Sequence, residues 1–239
     1  MTSLKQAVVL VTGANRGIGE HYVREALARG ASKVYASARN PKEWDDERIV
    51  PLRLDVTDPA SIHDAAAQAS DVTILINNAG ISPGTPGLLA HSDEEIRSSV
   101  ETNLLGPLNL IRTFAPVLTA NEGDTAIIDM HSVLAWYAVA GIYSVTKAAL
   151  WSMTNALRLE LQPAGVQVVG VHVGWVDTAM AAHITEPKVD PADLVAQVFD
   201  TVEAGGYEVL ADEVSVRLKA GLSQPLESIY PQLGVGPEV

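Results

Sequence analysis

The sequence contains no cysteine among its 239 residues. Disulfides, thiolate nucleophiles and cysteine-based metal sites are therefore excluded. The six histidines are scattered, and no two of them have the i, i+4 spacing of a helical metal site. We therefore expect no metal centre.

Basic residues and long apolar runs are also scarce. Lys and Arg number 16 against 29 Asp and Glu, which gives a formal net charge of −13. This charge opposes binding to nucleic acid and anionic membranes, because both are bound through clustered Lys and Arg. No apolar run reaches the roughly 18 residues of a membrane span, and residues 1–6 lack the pattern of a secretory signal. We expect a cytoplasmic protein with neither nucleic acid nor membrane as a partner.

Short β-branched apolar runs alternate with helical patterns along the chain. The runs predict seven strands, at residues 7–12, 33–38, 49–54, 72–76, 126–130, 166–173 and 207–211. Helices are predicted between them, and one of these, which starts at the capping box of Ser92 and Glu95, is expected to bend at Gly106 and Pro107. The alternation is typical of a Rossmann-type, doubly wound, mostly parallel α/β sheet with helices on both faces. We expect one domain over residues 1–239.

A glycine-rich turn follows the first predicted strand, with Gly13, Gly17 and Gly19 spaced as Gly-x-x-x-Gly-x-Gly. Its backbone N–H groups and the next helix N-terminus suit a dinucleotide pyrophosphate, although the turn could also be purely structural. Arg39 follows the second strand, where an acid would bind a ribose 2′-hydroxyl. Together with Arg16 it favours a 2′-phosphate, and so NADP(H) over NAD(H), unless both arginines are ordinary surface charges.

Candidate catalytic groups lie in residues 131–147. Tyr143 and Lys147 are four residues apart, on one face of a predicted helix over 143–162, and Ser132 follows the fifth strand. A neighbouring ammonium is expected to lower the pKa of the phenol, which would make it a proton donor and acceptor near neutral pH. Tyr and Lys at this spacing also occur by chance as surface neighbours, so the assignment depends on the other motifs.

Taken together, the motifs resemble the single-domain short-chain dehydrogenase/reductase family. They are Thr12-Gly13-Ala-Asn-Arg-Gly17-Ile-Gly19, Asn77-Asn78-Ala79-Gly80, Asn103, Ser132 and Tyr143-x-x-x-Lys147, and the resemblance covers about residues 5–212. It implies that Tyr143 is the acid/base residue, that Lys147 lowers its pKa and holds the nicotinamide ribose, and that Ser132 binds the substrate oxygen. By the same resemblance Asn103 holds a water in the proton relay, the alternative being a capping or solvated amide.

The resemblance also implies a set of cofactor contacts. They are Gly13, Asn15, Arg16, Gly17, Ile18, Gly19, Arg39, Asp55, Val56, Asn77, Ala79, Gly80, Tyr143, Lys147, Gly174, Val176 and Thr178. Two departures affect the nicotinamide end. Val173 stands where the family has a proline, and the lid segment 180–189 is short and contains Pro187.

The expected activity is NADPH-dependent reduction of a neutral, fairly apolar ketone or aldehyde, or alcohol oxidation in reverse. Side chains that flank the hydroxyls are expected either to line the pocket or to belong to the core or a subunit contact: Leu134, Trp136, Val139, Trp175 and Met180. Two alternatives are a reductase of carrier-linked acyl chains, which the acidic charge disfavours, and a non-catalytic dinucleotide-binding regulator. Apolar residues on several sides of the 143–162 helix predict a homodimer or homotetramer.

Overall fold

One sheet contains all seven predicted strands in a computed structural model of the protein, which describes residues 2–84, 87–121 and 123–233. The strands are β1 (Val8–Thr12), β2 (Lys33–Ala38), β3 (Ile49–Arg53), β4 (Ile74–Asn77), β5 (Thr125–Met130), β6 (Val166–His172) and β7 (Glu208–Leu210). Neighbouring strands are parallel, in the order β3-β2-β1-β4-β5-β6-β7. The predicted Rossmann-type doubly wound fold is confirmed.

Helices cover both faces of the sheet. They are α1 (Gly17–Ala28), α2 (Pro59–Gln68), α3 (Asp93–Val100), α4 (Gly106–Ala120), α5 (Gly141–Leu161), α6 (Pro191–Glu203) and α7 (Glu213–Gly221). The capping box of Ser92 and Glu95 starts α3 as predicted. Helix α7 was not predicted, although Asp212 and Ser215 form a second capping box at its start. Within the described residues, no helix is long and apolar enough to cross a membrane.

The core has two halves, one on each side of the sheet. Alternate residues of β1 divide between them: Val9 and Val11 pack on the side of α1 and α6, and Leu10 packs on the side of α2, α4 and α5. Each fully buried aliphatic side chain contributes about 1.5–3 kcal/mol. Pro51 is tolerated in β3 because β3 is an edge strand.

The irregularity predicted near Pro107 is present as a π-helical turn, Glu101–Leu105, between α3 and α4. The Gly106 N–H donates to the Glu101 carbonyl, five residues back. Pro107 has no N–H, so it cannot supply the usual i→i−4 hydrogen bond to the Asn103 carbonyl. Asn103 therefore lies within the irregular turn.

The carboxyl ends of β1, β4, β5 and β6 lie side by side at one edge of the sheet. The order of the strands reverses between β1 and β4, and open α/β sheets bind ligands at such a switch point. The glycine turn, residues 77–80, Ser132 and residues 174–178 all follow strands at this edge. The fold thus brings the separate sequence motifs to one place.

Candidate active site

The glycine turn is closed by direct backbone contact. A Cβ atom on Gly19 would lie 2.3 Å from the carbonyl oxygen of Gly13. Asn78 supports the turn from the end of β4, because its Nδ2 donates to the Thr12 carbonyl at 2.8 Å. The Thr12 hydroxyl accepts from the N–H groups of Asn78 and Ala79 at 2.9 and 3.0 Å. The ends of β1 and β4 are thereby tied together at the base of α1.

The position of the Asn77 side chain differs from its predicted role as a cofactor contact. Its side chain is only 3% exposed and donates to the Asp129 carboxylate on β5 at 2.8 Å. The two residues are direct neighbours in the β4–β5 register, which accounts for the contact. The Asn77 side chain therefore does not line the site, and Asn78, the next residue of the predicted stretch from Asn77 to Gly80, is the amide that supports the turn.

Two arginines lie near the adenosine end that was predicted for the site. Asn15 fixes the loop after β2, since its Nδ2 donates to the Asn40 carbonyl at 2.7 Å and its Oδ1 accepts from the Lys42 N–H at 3.2 Å. Arg16 and Arg39 are both exposed on this side. Their guanidinium groups are therefore free of the core and accessible to a ligand.

Asp55 follows β3 at the same edge. Partial burial opposes its ionisation, but hydrogen bonds from the N–H and hydroxyl of Thr57, at 3.0 and 2.8 Å, outweigh it. The charge of Arg39 acts in the same direction, so the pKa of Asp55 lies below its usual value. Asp55 is thus an ionised acceptor beside Arg39.

The predicted cofactor residues divide by exposure. Those with part of their surface exposed are Gly13, Asn15, Arg16, Gly17, Ile18, Arg39, Asp55, Ala79, Gly80, Tyr143, Gly174 and Thr178. The buried ones are Gly19, Val56, Asn77, Lys147 and Val176. The segment after β6 reaches the glycine turn, because the Thr178 methyl group lies 3.4 Å from where Gly17 would carry a Cβ.

Ser132, Tyr143 and Lys147 are brought together as predicted. Ser132 lies two residues after the end of β5 and shares a hydrogen bond with Tyr143. Lys147, one turn further along α5, is 4% exposed and has its Nζ 5.6 Å from the centre of the Tyr143 ring. The Lys147 Nζ donates to the Met130 carbonyl at 2.6 Å. Two hydroxyls and one ammonium therefore meet at the carboxyl edge of the sheet.

The expected lowering of the Tyr143 pKa by Lys147 is wrong for the protein chain by itself. Burial raises the pKa of Tyr143 to about 12, and the hydrogen bond with Ser132 acts in the opposite direction without reversing it. Burial also lowers the pKa of Lys147 to about 8, and a negative charge on Asp129 would act in the opposite direction. The reason is that Lys147 is directed at the Met130 carbonyl, so desolvation dominates both groups.

Both the oxygen and the nitrogen of the Asn103 side-chain amide are hydrogen-bonded within the protein. Its Oδ1 accepts from the Ile81 N–H at 2.9 Å, and its Nδ2 lies 2.9 Å from the Ile81 carbonyl and 3.2 Å from the Thr146 hydroxyl. A Cβ on Gly80 would lie 3.3 Å from the Asn103 Oδ1 and 3.9 Å from the Lys147 Nζ. Asn103 therefore fixes the loop after β4 beside Lys147.

His91 is a site residue that sequence reasoning missed. Its Nε2 accepts from the Ile142 N–H at 3.1 Å, which caps the first turn of α5 just before Tyr143. Gly141 adopts a φ of +53°, and a Cβ there would lie 2.2 Å from the His91 Nε2. The contact also explains why α5 begins at Gly141 rather than at the predicted Tyr143. In the sequence, Gly141 was the only local indication of this contact between His91 and the start of α5.

Gly141→Ala is expected to destabilise the protein by about 1–3 kcal/mol more than Gly165→Ala. Both glycines have positive φ, at +53° and +78°, so left-handed strain of about 1–2 kcal/mol per residue is common to both variants. Only Gly141 faces His91, because nothing lies within 4 Å of a Cβ on Gly165. Chemical denaturation measures both costs, and His91→Ala should remove the excess cost of Gly141→Ala. Equal costs for the two glycines would show that the His91 contact does not fix the start of α5.

Trp136 belongs to the core rather than to the pocket lining. It is 5% exposed and stacks on His172 with ring centres 3.9 Å apart. Val139, Trp175 and Met180 are 48%, 39% and 53% exposed and remain accessible to a substrate. The core alternative therefore holds for Trp136, and the expectation that it lines the pocket is not supported.

Comparison with known proteins agrees with this geometry. A family model described as short chain dehydrogenase matches residues 7–189. The chain belongs to the short chain dehydrogenase family. As a member it is a short-chain oxidoreductase, so the enzyme class implied by the motifs is confirmed.

Three proteins of known name illustrate the family relationship. The NADP-dependent 3-hydroxy acid dehydrogenase of Schizosaccharomyces pombe is 29% identical over 208 residues, which cover 80% of each chain. A crystal structure of a short chain dehydrogenase from Burkholderia cenocepacia J2315 in complex with NADP is 35% identical, with a TM-score of 0.90, and the match covers 98% of this chain and 100% of that one. The NADPH-bound carbonyl reductase from chicken fatty liver is 31% identical, with a TM-score of 0.74 and coverage of 84% and 91%.

This short-chain dehydrogenase fixes the segment after β6 without the family's proline. Val173 is 4% exposed, and its carbonyl accepts from the Val133 N–H at 3.1 Å. The Gly174 N–H donates to the Asp212 carboxylate at 2.7 Å, and a Cβ on Gly174 would lie 2.9 Å from that oxygen. Hydrogen bonds to the turn that follows β5 and to the N-cap residue of α7 thus hold the segment that the proline would otherwise stiffen.

Proposed function

We propose that the protein is an NADPH-dependent reductase of a ketone or aldehyde, which runs in reverse as an alcohol dehydrogenase. The observation that carries the proposal is the meeting of Ser132, Tyr143 and the buried Lys147 at the same sheet edge as the glycine turn. Reduction of a carbonyl develops negative charge on its oxygen, and two hydroxyl donors beside an ammonium are suited to stabilise that charge.

The residues present fit a nicotinamide dinucleotide. Backbone fills the place of a Cβ at Gly19, so the turn offers main-chain N–H groups rather than side chains to a pyrophosphate. We assign the exposed Arg16 and Arg39 to the 2′-phosphate of NADP(H), and Asp55 and Val56 to the adenine. Gly80, Lys147, Gly174 and Thr178 are assigned to the nicotinamide end. The cofactor, when bound, supplies the hydride.

Each catalytic side chain has a separate task in this proposal. Ser132 donates a hydrogen bond to the substrate oxygen, and Tyr143 transfers its phenolic proton to that oxygen. The raised pKa of Tyr143, about 12, keeps the phenol protonated before reduction. Lys147 stabilises the phenolate as it forms. The side-chain amide of Asn103 is hydrogen-bonded to the backbone of Ile81. We therefore assign the role of Asn103 in the proton relay to its backbone carbonyl.

A panel of free ketones and aldehydes, tested with NADPH and NADH in parallel, is the experiment for this proposal. We expect saturable NADPH oxidation with a neutral apolar carbonyl compound, since Val139, Trp175 and Met180 are exposed near the loops of the site. Activity only on carrier-linked acyl substrates would favour a carrier-dependent reductase instead. Cofactor binding without oxidation across the whole panel would favour a non-catalytic regulator.

Arg39→Ala is expected to raise the KM for NADPH about 10-fold to 100-fold and to leave the KM for NADH nearly unchanged. Its guanidinium would pair with the 2′-phosphate, and a charged hydrogen bond contributes about 1.5–3 kcal/mol. Arg217→Ala, which removes an equally exposed arginine from α7, is the control. An equal rise in KM for both cofactors would contradict the assignment of Arg39.

A cytoplasmic homodimer or homotetramer is the proposed assembly. Leu159 of α5 is 81% exposed and Val145 is 46% exposed, so this helix has apolar surface beyond what the sheet covers. The charge of −13 and the lack of cysteine are compatible with that location. Light scattering at micromolar concentration tests the assembly, and a monomeric mass would contradict it.

A further inference from the structure

A row of buried polar side chains runs beneath the active site from Asp129 to His172. The Asp129 Oδ2 lies 2.7 Å from the Thr154 hydroxyl, which lies 2.8 Å from the His131 Nε2. The His131 Nδ1 is 3.0 Å from the His172 Nε2, and the His172 Nδ1 is 3.3 Å from the Ser132 carbonyl. We call Asp129, Thr154, His131 and His172 the buried chain. It begins beside Lys147 and ends on the backbone of Ser132.

The buried chain is enclosed by surrounding residues of the fold. Its four members are at most 3% exposed. Gly170 of β6 makes room for His131, because a Cβ there would lie 2.5 Å from the His131 Cε1. Trp136 covers the His172 ring. Because the members are buried, they must satisfy their hydrogen bonds within the protein: with one another, with the Ser132 carbonyl and, at the Asp129 Oδ1, with the Asn77 Nδ2, which donates at 2.8 Å.

Hydrogen-bond directions limit the protonation states of the buried chain. With both imidazoles neutral, the ring contacts are satisfied if the His172 Nδ1 donates to the Ser132 carbonyl, the His131 Nδ1 to the His172 Nε2, and the Thr154 hydroxyl to the His131 Nε2. The Thr154 hydroxyl has one proton, so the proton of the 2.7 Å contact between Thr154 and the Asp129 Oδ2 must then come from Asp129, whose Oδ1 accepts from the Asn77 Nδ2. This set of hydrogen-bond directions requires a protonated carboxyl at Asp129. If Asp129 were ionised, the directions would reverse, and the bare His172 Nδ1 would face a carbonyl.

One competing acceptor does not disturb this assignment. The Thr154 hydroxyl also lies 2.9 Å from the Leu150 carbonyl. That carbonyl accepts the backbone bond of Thr154 within α5, so it does not depend on the hydroxyl proton.

We propose that the buried chain keeps Asp129 protonated, so that Lys147 is a buried ammonium whose charge no neighbouring carboxylate offsets. Asp129, Thr154, His131 and His172 are then positioning residues for the catalytic pair of Lys147 and Ser132. The inference deepens the proposed reductase function and rests on it for its catalytic consequence. An uncompensated ammonium favours phenolate formation at Tyr143 more than one paired with a carboxylate.

Charged groups from three elements face the buried chain. Lys147 and Arg158 of α5 act on Asp129 and on both histidines, Lys219 of α7 acts on the histidines, and Glu208 of β7 has its Oε1 3.7 Å from the His172 Nε2. Burial raises the pKa of Asp129 and outweighs the hydrogen bonds from Asn77 and Thr154 and the charges of Lys147 and Arg158, which act to lower it. Burial also lowers the pKa of His172 to about 3. Both directions agree with a neutral chain.

Nitrogen NMR of the histidine rings tests the protonation state in the wild-type protein, whether or not a substrate is known. We expect His131 and His172 each to carry one proton at pH 7, on Nδ1. A proton on the His131 Nε2, or an imidazolium at His172, would overturn the proposal. Thr154→Ser keeps the hydroxyl and should keep these tautomers, whereas Thr154→Val should abolish the single His131 tautomer. An unchanged His131 signal in Thr154→Val would also count against the chain.

The pH profile of kcat/KM tests the catalytic consequence. Asp129→Asn replaces a protonated carboxyl by an amide that has the same charge and can still donate to Thr154. We therefore expect its alkaline limb to lie within about 0.3 pH units of wild type, because removing a real charge partner would shift a pKa by about 1–3 units. A displacement of one unit or more to lower pH would show that Asp129 is ionised. If wild type is inactive on every carbonyl compound, the proposed function fails, while the NMR result still decides the state of the chain.

Discussion

Tyr143→Phe is expected to lower kcat for carbonyl reduction about 1,000-fold while NADPH still binds. General acid catalysis contributes about 10²-fold to 10⁴-fold, and Tyr143 is the proton donor proposed for the reduction. The change removes one hydroxyl and one hydrogen bond to Ser132, so the ring and helix α5 are expected to stay in place. Steady-state kinetics and cofactor titration on the same preparation separate the loss of chemistry from a loss of binding.

Tyr137→Phe is the matched control for this prediction. Tyr137 lies in the connection between β5 and α5, which also contains Ser132, and its ring stacks on Tyr230 with centres 5.5 Å apart. Removing its hydroxyl should leave kcat within about twofold of wild type, since surface changes away from the site have small effects. A Tyr143→Phe enzyme as active as Tyr137→Phe would refute the role of Tyr143 as proton donor.

Gly19→Ala is expected to raise the Kd for NADPH at least about 100-fold. The added Cβ would lie 2.3 Å from the Gly13 carbonyl oxygen and 2.8 Å from the Asn78 Nδ2, so the turn must open. Overpacking of this kind typically costs about 1–3 kcal/mol, and the same displacement moves the N–H groups assigned to the pyrophosphate. Isothermal titration measures the affinity, and denaturation without cofactor measures the stability cost.

Gly87→Ala controls for the loss of a glycine as such. A Cβ at Gly87 has nothing within 4 Å, so neither affinity nor stability should change by more than about 0.5 kcal/mol. If Gly19→Ala bound NADPH as wild type does, the glycine turn would not be the pyrophosphate site, and the cofactor assignment would have to be abandoned.

Local pattern predicted the strands well because buried parallel strands read as continuous apolar runs. In such a continuous apolar run, the sequence does not show towards which face of the sheet each side chain points. Every residue of β4 is buried, so the sequence could not tell which asparagine, Asn77 or Asn78, turns towards Asp129 and which towards the glycine turn. That distinction depends on the register between β4 and β5.

Contacts between distant segments are the other part that the sequence could not supply. His91 caps α5 from 51 residues away, and Trp136 lies on His172 in the next strand. The pKa of Tyr143 depends on the same packing, because the spacing of Tyr143 and Lys147 predicts a favourable charge but not the burial that outweighs it. The type of reaction could therefore be predicted from a few residues, while the pKa values of Tyr143 and Lys147 required the folded structure.

Transfer of deuterium from NADPH labelled at the nicotinamide C4 tests the central claim most directly. The wild-type enzyme is incubated with the labelled cofactor and the panel of apolar ketones and aldehydes, and the products are analysed by mass spectrometry. We expect an alcohol that carries one deuterium on its carbinol carbon, formed by wild type and by Tyr137→Phe and about 1,000-fold more slowly by Tyr143→Phe. Tight binding of NADPH with no deuterium in any product would contradict it.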